Sequence, residues 1–476
     1  MQKLNVVILA AGQGKRMYSS VPKVLHKIGN KPMLCHVIDA ARTLHPNKII
    51  IVYGHGGDVV RQVTSSYYAN LTHGVDAQHI TNNAFTMDDV IWVHQDKQLG
   101  TGHALKCALP HIDEDAATLL LYGDVPLIAS ATLEQMCIKY INNIVMLTAS
   151  LDNQFGYGRV LRDKCAKVVG IVEEKDASDD ERKISEVNSG IYILPGERLS
   201  AWLNNLSNNN SQGEYYITDV IAMAHNEGMS IDALTVANNY EIMGVNNKVQ
   251  LEYLERVLQR CHAEKLLIAG ATIIDKSRID IRGELTVGMD VTIDINCIFE
   301  GIVTLGNNVN IGASCILKNV VVADNVEIKP YSVIEDAVIG NDSQVGPFAR
   351  IRPGTKLTVG AHIGNFVEIK NSTIGAGSKV NHLTYIGDTE MGAKVNVGAG
   401  SVTCNYDGKN KFKTIIEDNV FVGSGTMMVA PVKLGSGGII GAGSTITKNT
   451  PENELTIARA KQLTVPGWMK KHHHKE

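Results

Sequence analysis

What this 476-residue chain has little of narrows its function first. It has no basic excess: 45 Lys and Arg stand against 49 Asp and Glu, a formal net charge of −4. A chain that binds a polyanion ordinarily carries a cationic surplus, so nucleic acid is not an expected partner. No apolar run approaches the ~18 residues that cross a bilayer, and no membrane span is expected. The opening MQKLNVVILAAG is short for a secretory leader and reads as a first strand. Eight cysteines are scattered without a CxxC pair, which argues against both a zinc site and a disulfide framework. A cytoplasmic setting is the expectation. His472-His473-His474 could hold a metal weakly, but a solvated tail is the simpler reading. Length calls for two or three domains, because single cores rarely grow beyond ~250–300 residues.

What is present is led by a repeat. Between about Val303 and Ile446 aliphatic residues return every six positions, as in Ile339, Val345, Ile351, Leu357, Ile363 and Ile369. The beat lapses over Cys404–Thr414 and resumes at Ile416, Val422, Met428, Leu434, Ile440 and Ile446. A period of six fits neither a helix nor a two-faced strand. It predicts a parallel β-helix whose hexapeptides each form one side of a coil, with the aliphatics stacked inside. A β-sandwich with regular turns would instead show a period of two and strands of varied length. The repeat resembles that of the hexapeptide-repeat acyltransferases, which implies a left-handed coil and chains associated in threes.

Upstream, short apolar runs at Val6–Leu9, Ile49–Val52, Leu119–Leu121 and Val145–Ala149 alternate with longer amphipathic stretches. This predicts an α/β, Rossmann-like domain with a mostly parallel sheet, whose ligands bind beyond the carboxyl ends of the strands. Two chemically loaded stretches fall at that edge. The first, Leu9-Ala10-Ala11-Gly12-Gln13-Gly14-Lys15-Arg16-Met17, departs from the dinucleotide fingerprint because Met17 stands where its third Gly belongs. It is also no Walker loop, because Leu9 and Arg16 replace that motif's first Gly and final Ser/Thr. A small-residue loop with cations remains, able to approach phosphate, and Lys23 follows in VPKVLHK. From the residues alone, a plain strand–helix turn is equally open. In the second stretch, Leu119–Leu127, a buried strand ends at Tyr122-Gly123-Asp124. That carboxylate is placed to hold Mg²⁺, or simply to cap a turn.

Together LAAGxGxRM, PKxL and the YGD strand end resemble the sugar-1-phosphate nucleotidyltransferases. Gln95 with Leu99-Gly100-Thr101-Gly102-His103 is similar to that family's uracil-reading segment. Gly158 in GYGR, Glu173 in GIVEEK and Asn188 in EVNSGIY are similar to its sugar-binding segments, and Asn246 in GVNN to its second Mg²⁺ ligand. The resemblance implies UTP and nucleotide-sugar contacts at Leu9, Ala10, Ala11, Gly12, Lys23, Gln95, Gly100, Thr101, Tyr122, Gly123, Asp124, Gly158, Glu173, Asn188 and Asn246. It also implies charge stabilisation by Arg16 and Lys23, and Mg²⁺ on Asp124 and Asn246. Two features depart from the family pattern. Gln13 and Lys15 stand where Lys and Thr are common, and Ser66–Asp88 reads as a surface insertion.

Leu251, Leu254, Leu258 and Cys261 fall on one helical face and predict a connecting helix over 247–267, closed by Gly270. The expected domains are therefore 1–246, a nucleotidyltransferase, and 268–476, the β-helix with its tail. Within the repeat, Arg352 and Lys370 recur one coil apart with Tyr385 beyond them, a plausible phosphate clamp. His382 is either a general base or a corner histidine bonded to a carbonyl. Thr403–Gly408, where the beat lapses, reads as an extruded loop, and loops on solenoids often mark function.

NFVEIK, NHLTYIGD and the NYDG loop resemble the acetyltransferase half of the bifunctional enzymes of UDP-N-acetylglucosamine synthesis. That resemblance covers essentially the whole chain apart from the insertion and the tail. It implies that His382 deprotonates the sugar amine and that Arg352, Lys370, Tyr385 and Asn396 hold glucosamine-1-phosphate. It places acetyl-CoA at Ala399, Asn405, Tyr406, Ser424, Ala442 and Arg459, with help from neighbouring chains of a homotrimer. The alternative is a single-function sugar nucleotidyltransferase whose β-helix serves only assembly or regulation.

Overall fold

The computed structural model describes residues 3–54, 56–71 and 87–469. The chain divides into two compact units, Met1–Leu258 and Gln259–Glu476. The division falls inside helix Lys248–Ile268, which ends at Gly270 in the left-handed conformation that glycine adopts at least cost.

The first unit is built on a nine-stranded sheet. Its strands in chain order are β1 (Leu4–Ala10), β2 (Lys48–Tyr53), β3 (Val90–His94), β4 (Ala117–Tyr122), β5 (Ile144–Ser150), β6 (Arg159–Arg162), β7 (Val168–Val172), β8 (Glu186–Pro195) and β9 (Ile231–Thr235). The spatial order is β9-β5-β8-β4-β1-β2-β3, with β6 paired to β8 and to β7. Strand β1 runs parallel to both β2 and β4, and β8 is antiparallel to its neighbours β4 and β5. All seven residues of β1 are buried, because helices cover both faces of a parallel sheet and its central strands carry apolar side chains on each side. The chain steps outward from β1 to β2 and β3, then returns to place β4 on the other side of β1. This reversal opens a crevice beyond the ends of β1 and β4, the usual place for a ligand in such sheets.

Of the Ser66–Asp88 segment, Ser66–Leu71 completes the helix Gly57–Leu71 and residues 72–86 lie outside the described residues. Lys470, Lys471 and His472–His474 also lie outside them.

The second unit is a left-handed parallel β-helix. Residues one coil apart stack in register, as Ile351↔Ile369 and Ile369↔Ile386, and all three are fully buried. The coil begins ahead of Val303, with Thr272-Ile273 already paired to Thr292-Ile293. The first coils contain the nine-residue strands Ile279–Val287 and Cys297–Leu305, and the six-residue spacing extends back through Phe299, Ile293, Val287 and Ile281. Where the beat lapses, the coil spans 25 residues instead of the 17 seen one coil below. The surplus is thrown out as a small hairpin closed by Tyr406↔Lys411 pairing.

Candidate active sites

Strand β1 delivers Ala11–Gly14 to the crevice. Gly14 has φ +62°, and a Cβ there would stand 2.7 Å from Lys23 Cβ, so the loop needs glycine to lie against the lysine. Met17 is buried with Ile28, Met33, Val245 and Leu254, and this anchor leaves Lys15 and Arg16 exposed on a single turn of 3₁₀ helix. Lys15 lines the crevice, a cavity of about 940 Å³, whereas Arg16, the next residue, is not among those that line it. Leu9, Ala10, Ala11, Gly12, Lys23, Gln95, Gly100, Thr101, Tyr122 and Asp124 all line the same cavity. The segment Leu99–Gly102 is pinned to Tyr215, whose N–H donates to the Leu99 carbonyl and whose carbonyl accepts from Gly102 N–H, both at 2.8 Å.

Asp124 leaves β4 just after Gly123 and forms an ion pair with Lys23, whose Nζ also donates to Asn246 Oδ1 at 3.2 Å. A carboxylate and an amide oxygen thus converge on one cation in a pocket where the Lys23 and Asp124 side chains are only 11% and 18% exposed. Such hard oxygen donors suit Mg²⁺. Among the described residues no cluster of three or more His, Cys, Asp or Glu exists. A metal here would therefore take the rest of its shell from phosphate and water, as Mg²⁺ commonly does.

Beside the cavity, Gly158, Glu173 and Asn188 come together. Asn188 N–H donates to the Gly158 carbonyl at 2.9 Å, and a Cβ on Gly158 would lie 3.5 Å from Glu173 Oε2. Thr218 Oγ1 donates to Glu173 Oε1 at 3.0 Å. Burial pushes the Glu173 carboxyl above its ordinary range. Burial, with Glu173 nearby, likewise raises the phenol of Tyr122. A partly desolvated carboxylate next to the cavity is suited to orient sugar hydroxyls.

On the β-helix, Arg352 lies directly below Lys370, its N–H donating to the Ile369 carbonyl at 2.8 Å. Tyr385 stacks on Glu368 in the adjacent outward column, and Glu368 forms a 2.7 Å ion pair with Arg352. The Tyr385 ring lies over Gly387, where a side chain would collide with it, and Asn405 Nδ2 sits alongside. Asn405 and Asn371 both donate to the Asp388 carboxylate, at 2.5 and 2.6 Å. Burial alone would raise that carboxyl, but these amides and the Lys370 charge hold it below its usual range.

Sequence reasoning missed Lys411. Carried on the hairpin, it stands beside Lys370 and depresses the Lys370 ammonium below the ordinary lysine range. The only sequence signal was the run of alternate lysines Lys409, Lys411 and Lys413, which does not say which one points inward.

His382 is exposed at a neighbouring corner, paired in register with Asn365, and its Nδ1 lies 3.1 Å from Asn365 Oδ1. The ring is thus bonded to a side-chain carbonyl at a corner, an arrangement compatible with both readings of this histidine, the structural one and the general base. Above it the corner continues. The His382 carbonyl accepts from Gly400 N–H, the Ala399 carbonyl from Gly425, the Ser424 carbonyl from Gly443, and the Ala442 carbonyl from the Arg459 guanidinium. Ala399, Ser424, Ala442 and Arg459 therefore rise in one column over His382. Asn396 belongs to the flat strand before that corner, in register with Lys379 and Phe421. Asn405 and the 60%-exposed Tyr406 instead belong with the Lys370 cluster. One chain thus carries the expected residues on two edges of one face and does not gather them at a single point.

A nucleotidyltransferase sheet followed by a hexapeptide coil defines a two-part transferase. Residues 6–184 match the MobA-like NTP transferase domain, 281–359 the GMPPB C-terminal domain, and 413–448 the bacterial transferase hexapeptide (six repeats). The chain is 55% identical over 468 residues, 98% of each chain, to the bifunctional protein GlmU of Chromobacterium violaceum. It is 53% identical over 470 residues, again 98% of each chain, to bifunctional protein GlmU of Nitrosomonas europaea. The chain belongs to the GlmU family.

Proposed function

We propose that the β-helix unit acetylates glucosamine-1-phosphate from acetyl-CoA at the His382 corner, and that the sheet unit then couples the product with UTP at the Asp124 crevice. The enzyme is a bifunctional acetyltransferase and uridyltransferase that yields UDP-N-acetylglucosamine and pyrophosphate. In the first reaction His382 takes a proton from the sugar amine as its nitrogen attacks the thioester carbonyl, and coenzyme A leaves as the thiol. Arg352, Lys370, Lys411 and Tyr385 hold the sugar phosphate. Asn396 and the column Ala399–Arg459 line the approach of acetyl-CoA, together with Asn405 and Tyr406 of a neighbouring chain in a homotrimer. Such an arrangement would join the two edges that a single chain holds apart. In the second reaction the sugar phosphate oxygen attacks the α-phosphorus of UTP. Lys23 and Arg16 stabilise the developing negative charge, Gln95 and Gly100 take the base, and Gly158, Glu173 and Asn188 take the sugar. Mg²⁺ held by Asp124 and Asn246 would supply further neutralisation of phosphate charge.

The observation that carries the two-site reading is the cation cluster of Arg352, Lys370 and Lys411 on the same face of the coil as His382, which a β-helix serving only assembly does not need. The test follows free thiol and pyrophosphate separately in purified enzyme given glucosamine-1-phosphate, acetyl-CoA, UTP and Mg²⁺. Thiol release independent of UTP is expected. Pyrophosphate that appears only when N-acetylglucosamine-1-phosphate is supplied, with no thiol at all, would reduce the coil to a scaffold. Lys411 has its own prediction. Two ammonium groups that repel each other gain most from a shared dianion, so Lys411→Ala should raise the KM for glucosamine-1-phosphate about 10-fold and leave kcat nearly unchanged. An unaltered KM would remove Lys411 from the phosphate site.

A further inference from the structure

The base-reading residue Gln95 is held by a partner to which no role has been given. Its side chain is only 3% exposed, on the floor of the crevice. The amide nitrogen Nε2 donates to the Gly100 carbonyl at 3.3 Å and lies 3.0 Å from His103 Nδ1. A main-chain carbonyl can only accept, so it fixes which end of the amide is the nitrogen. The second amide hydrogen then needs an acceptor, and His103 Nδ1 supplies one when its ring is neutral and carries its proton on Nε2. Cys107 Sγ, 4.0 Å from the same Nδ1, is also a weak donor and agrees with that tautomer. Burial, and the charge of Lys106 on the same helix, lower the His103 pKa and keep the ring neutral. With both N–H groups engaged, the carbonyl oxygen is the only function Gln95 can offer a ligand.

We infer that His103 is a positioning residue that locks the Gln95 amide with its oxygen toward the base, so that the crevice selects a pyrimidine presenting a ring N–H and rejects one presenting a bare ring nitrogen. Uracil has that donor at N3. Cytosine has a lone pair there, which would face the Gln95 oxygen without a proton between them. The inference rests on the reading of Gln95 as the residue that meets the base. Without His103 the amide loses one of its two restraints, and rotation about its last torsion would offer N–H groups to the base instead.

The experiment compares kcat/KM for UTP and for CTP, by pyrophosphate release with N-acetylglucosamine-1-phosphate, in the full-length enzyme and in His103→Leu, His103→Asn and Gln95→Leu. A circular-dichroism spectrum and thermal transition matching those of the unsubstituted enzyme report that the sheet unit of each variant is folded. His103→Leu is expected to lower the UTP:CTP ratio at least about 10-fold through a raised KM for UTP with little change in kcat. His103→Asn, which returns an acceptor oxygen, is expected to recover much of the ratio. A ratio unchanged in His103→Leu but collapsed in Gln95→Leu would overturn the role of His103 alone. A ratio unchanged in Gln95→Leu would overturn the reading of Gln95 beneath it. Should His103→Leu fail to fold, His103→Asn decides: a collapsed ratio there, despite the restored acceptor, overturns the inference, and a retained one supports it.

Discussion

Replacing His382 with alanine is expected to slow acetyl transfer about 10²–10⁴-fold, the usual contribution of a positioned general base. Uridyl transfer from supplied N-acetylglucosamine-1-phosphate should keep its rate. The geometry carries the argument. The amide oxygen of Asn365 only accepts, so the Nδ1 that lies 3.1 Å from it carries the ring proton. The lone pair is then on Nε2, which is the nitrogen available to take a proton from the attacking amine. Asn365 also favours the imidazolium that forms, because its oxygen remains bonded to Nδ1–H throughout. Removing that support with Asn365→Ala should give a smaller loss in the same reaction, since the ring stays but its tautomer and orientation are freed. Because His382 is exposed on a corner, its truncation should change stability within about 0.5 kcal/mol, so lost rate reports lost chemistry. Thiol release and pyrophosphate release, assayed separately on one preparation, check the outcome. Loss of both activities in a folded His382→Ala enzyme would sink the assignment of two independent sites.

The parts of this molecule that sequence could reveal are those in which one chemical requirement recurs at a fixed interval. Each coil of the β-helix must send an aliphatic side chain inward from each side. Leu305 through Ile446 therefore announce the fold, and every aliphatic in the beat is at most 4% exposed. The same spacing runs on upstream through Phe299, Ile293, Val287 and Ile281, so the coil ahead of Val303 was legible as well. In the sheet unit, Val6–Leu9 and Leu119–Leu121 were legible because central parallel strands are apolar on both faces. The antiparallel β8 between β4 and β5 was not legible, since hydrophobicity carries no strand direction.

Site residues divide along a similar line. Asp124 and the Gly14 loop stand out locally, a lone carboxylate ending an apolar strand and a glycine that must lie against Lys23. Residues whose role depends on register are silent in the sequence. Lys411 matters only because a hairpin of 25-residue spacing folds it back over Lys370. His103 matters only because the first turn of its helix brings it to Gln95 Nε2. The separation of Asn396 from Tyr406 is likewise a property of the three-sided coil: neighbours in sequence can belong to different sides, and only the corners decide which.

Lys23→Ala is expected to reduce uridyl transfer about 10²–10³-fold, comparable to removing one preorganised donor from a site of developing charge, and to leave acetyl transfer intact. Lys23 does two jobs that this substitution separates from those of Asp124. Its ammonium binds Asp124 and Asn246 where the side chains of the ion pair are little exposed, and its side chain lies against the Gly14 turn. With the ammonium gone, the phosphates lose a cation and Asp124 loses its ion-pair partner at once. A carboxylate freed in this way should hold a divalent cation no less well than before, since Lys23 no longer competes for its oxygens. The concentration of Mg²⁺ giving half-maximal uridyl transfer should accordingly stay level or fall in Lys23→Ala. Asp124→Asn should raise it, because the amide offers a neutral oxygen in place of a charged one. If both substitutions raised the Mg²⁺ requirement alike, Lys23 would be acting only by arranging the metal ligands, and its assignment as a direct stabiliser of the reacting phosphates would be wrong.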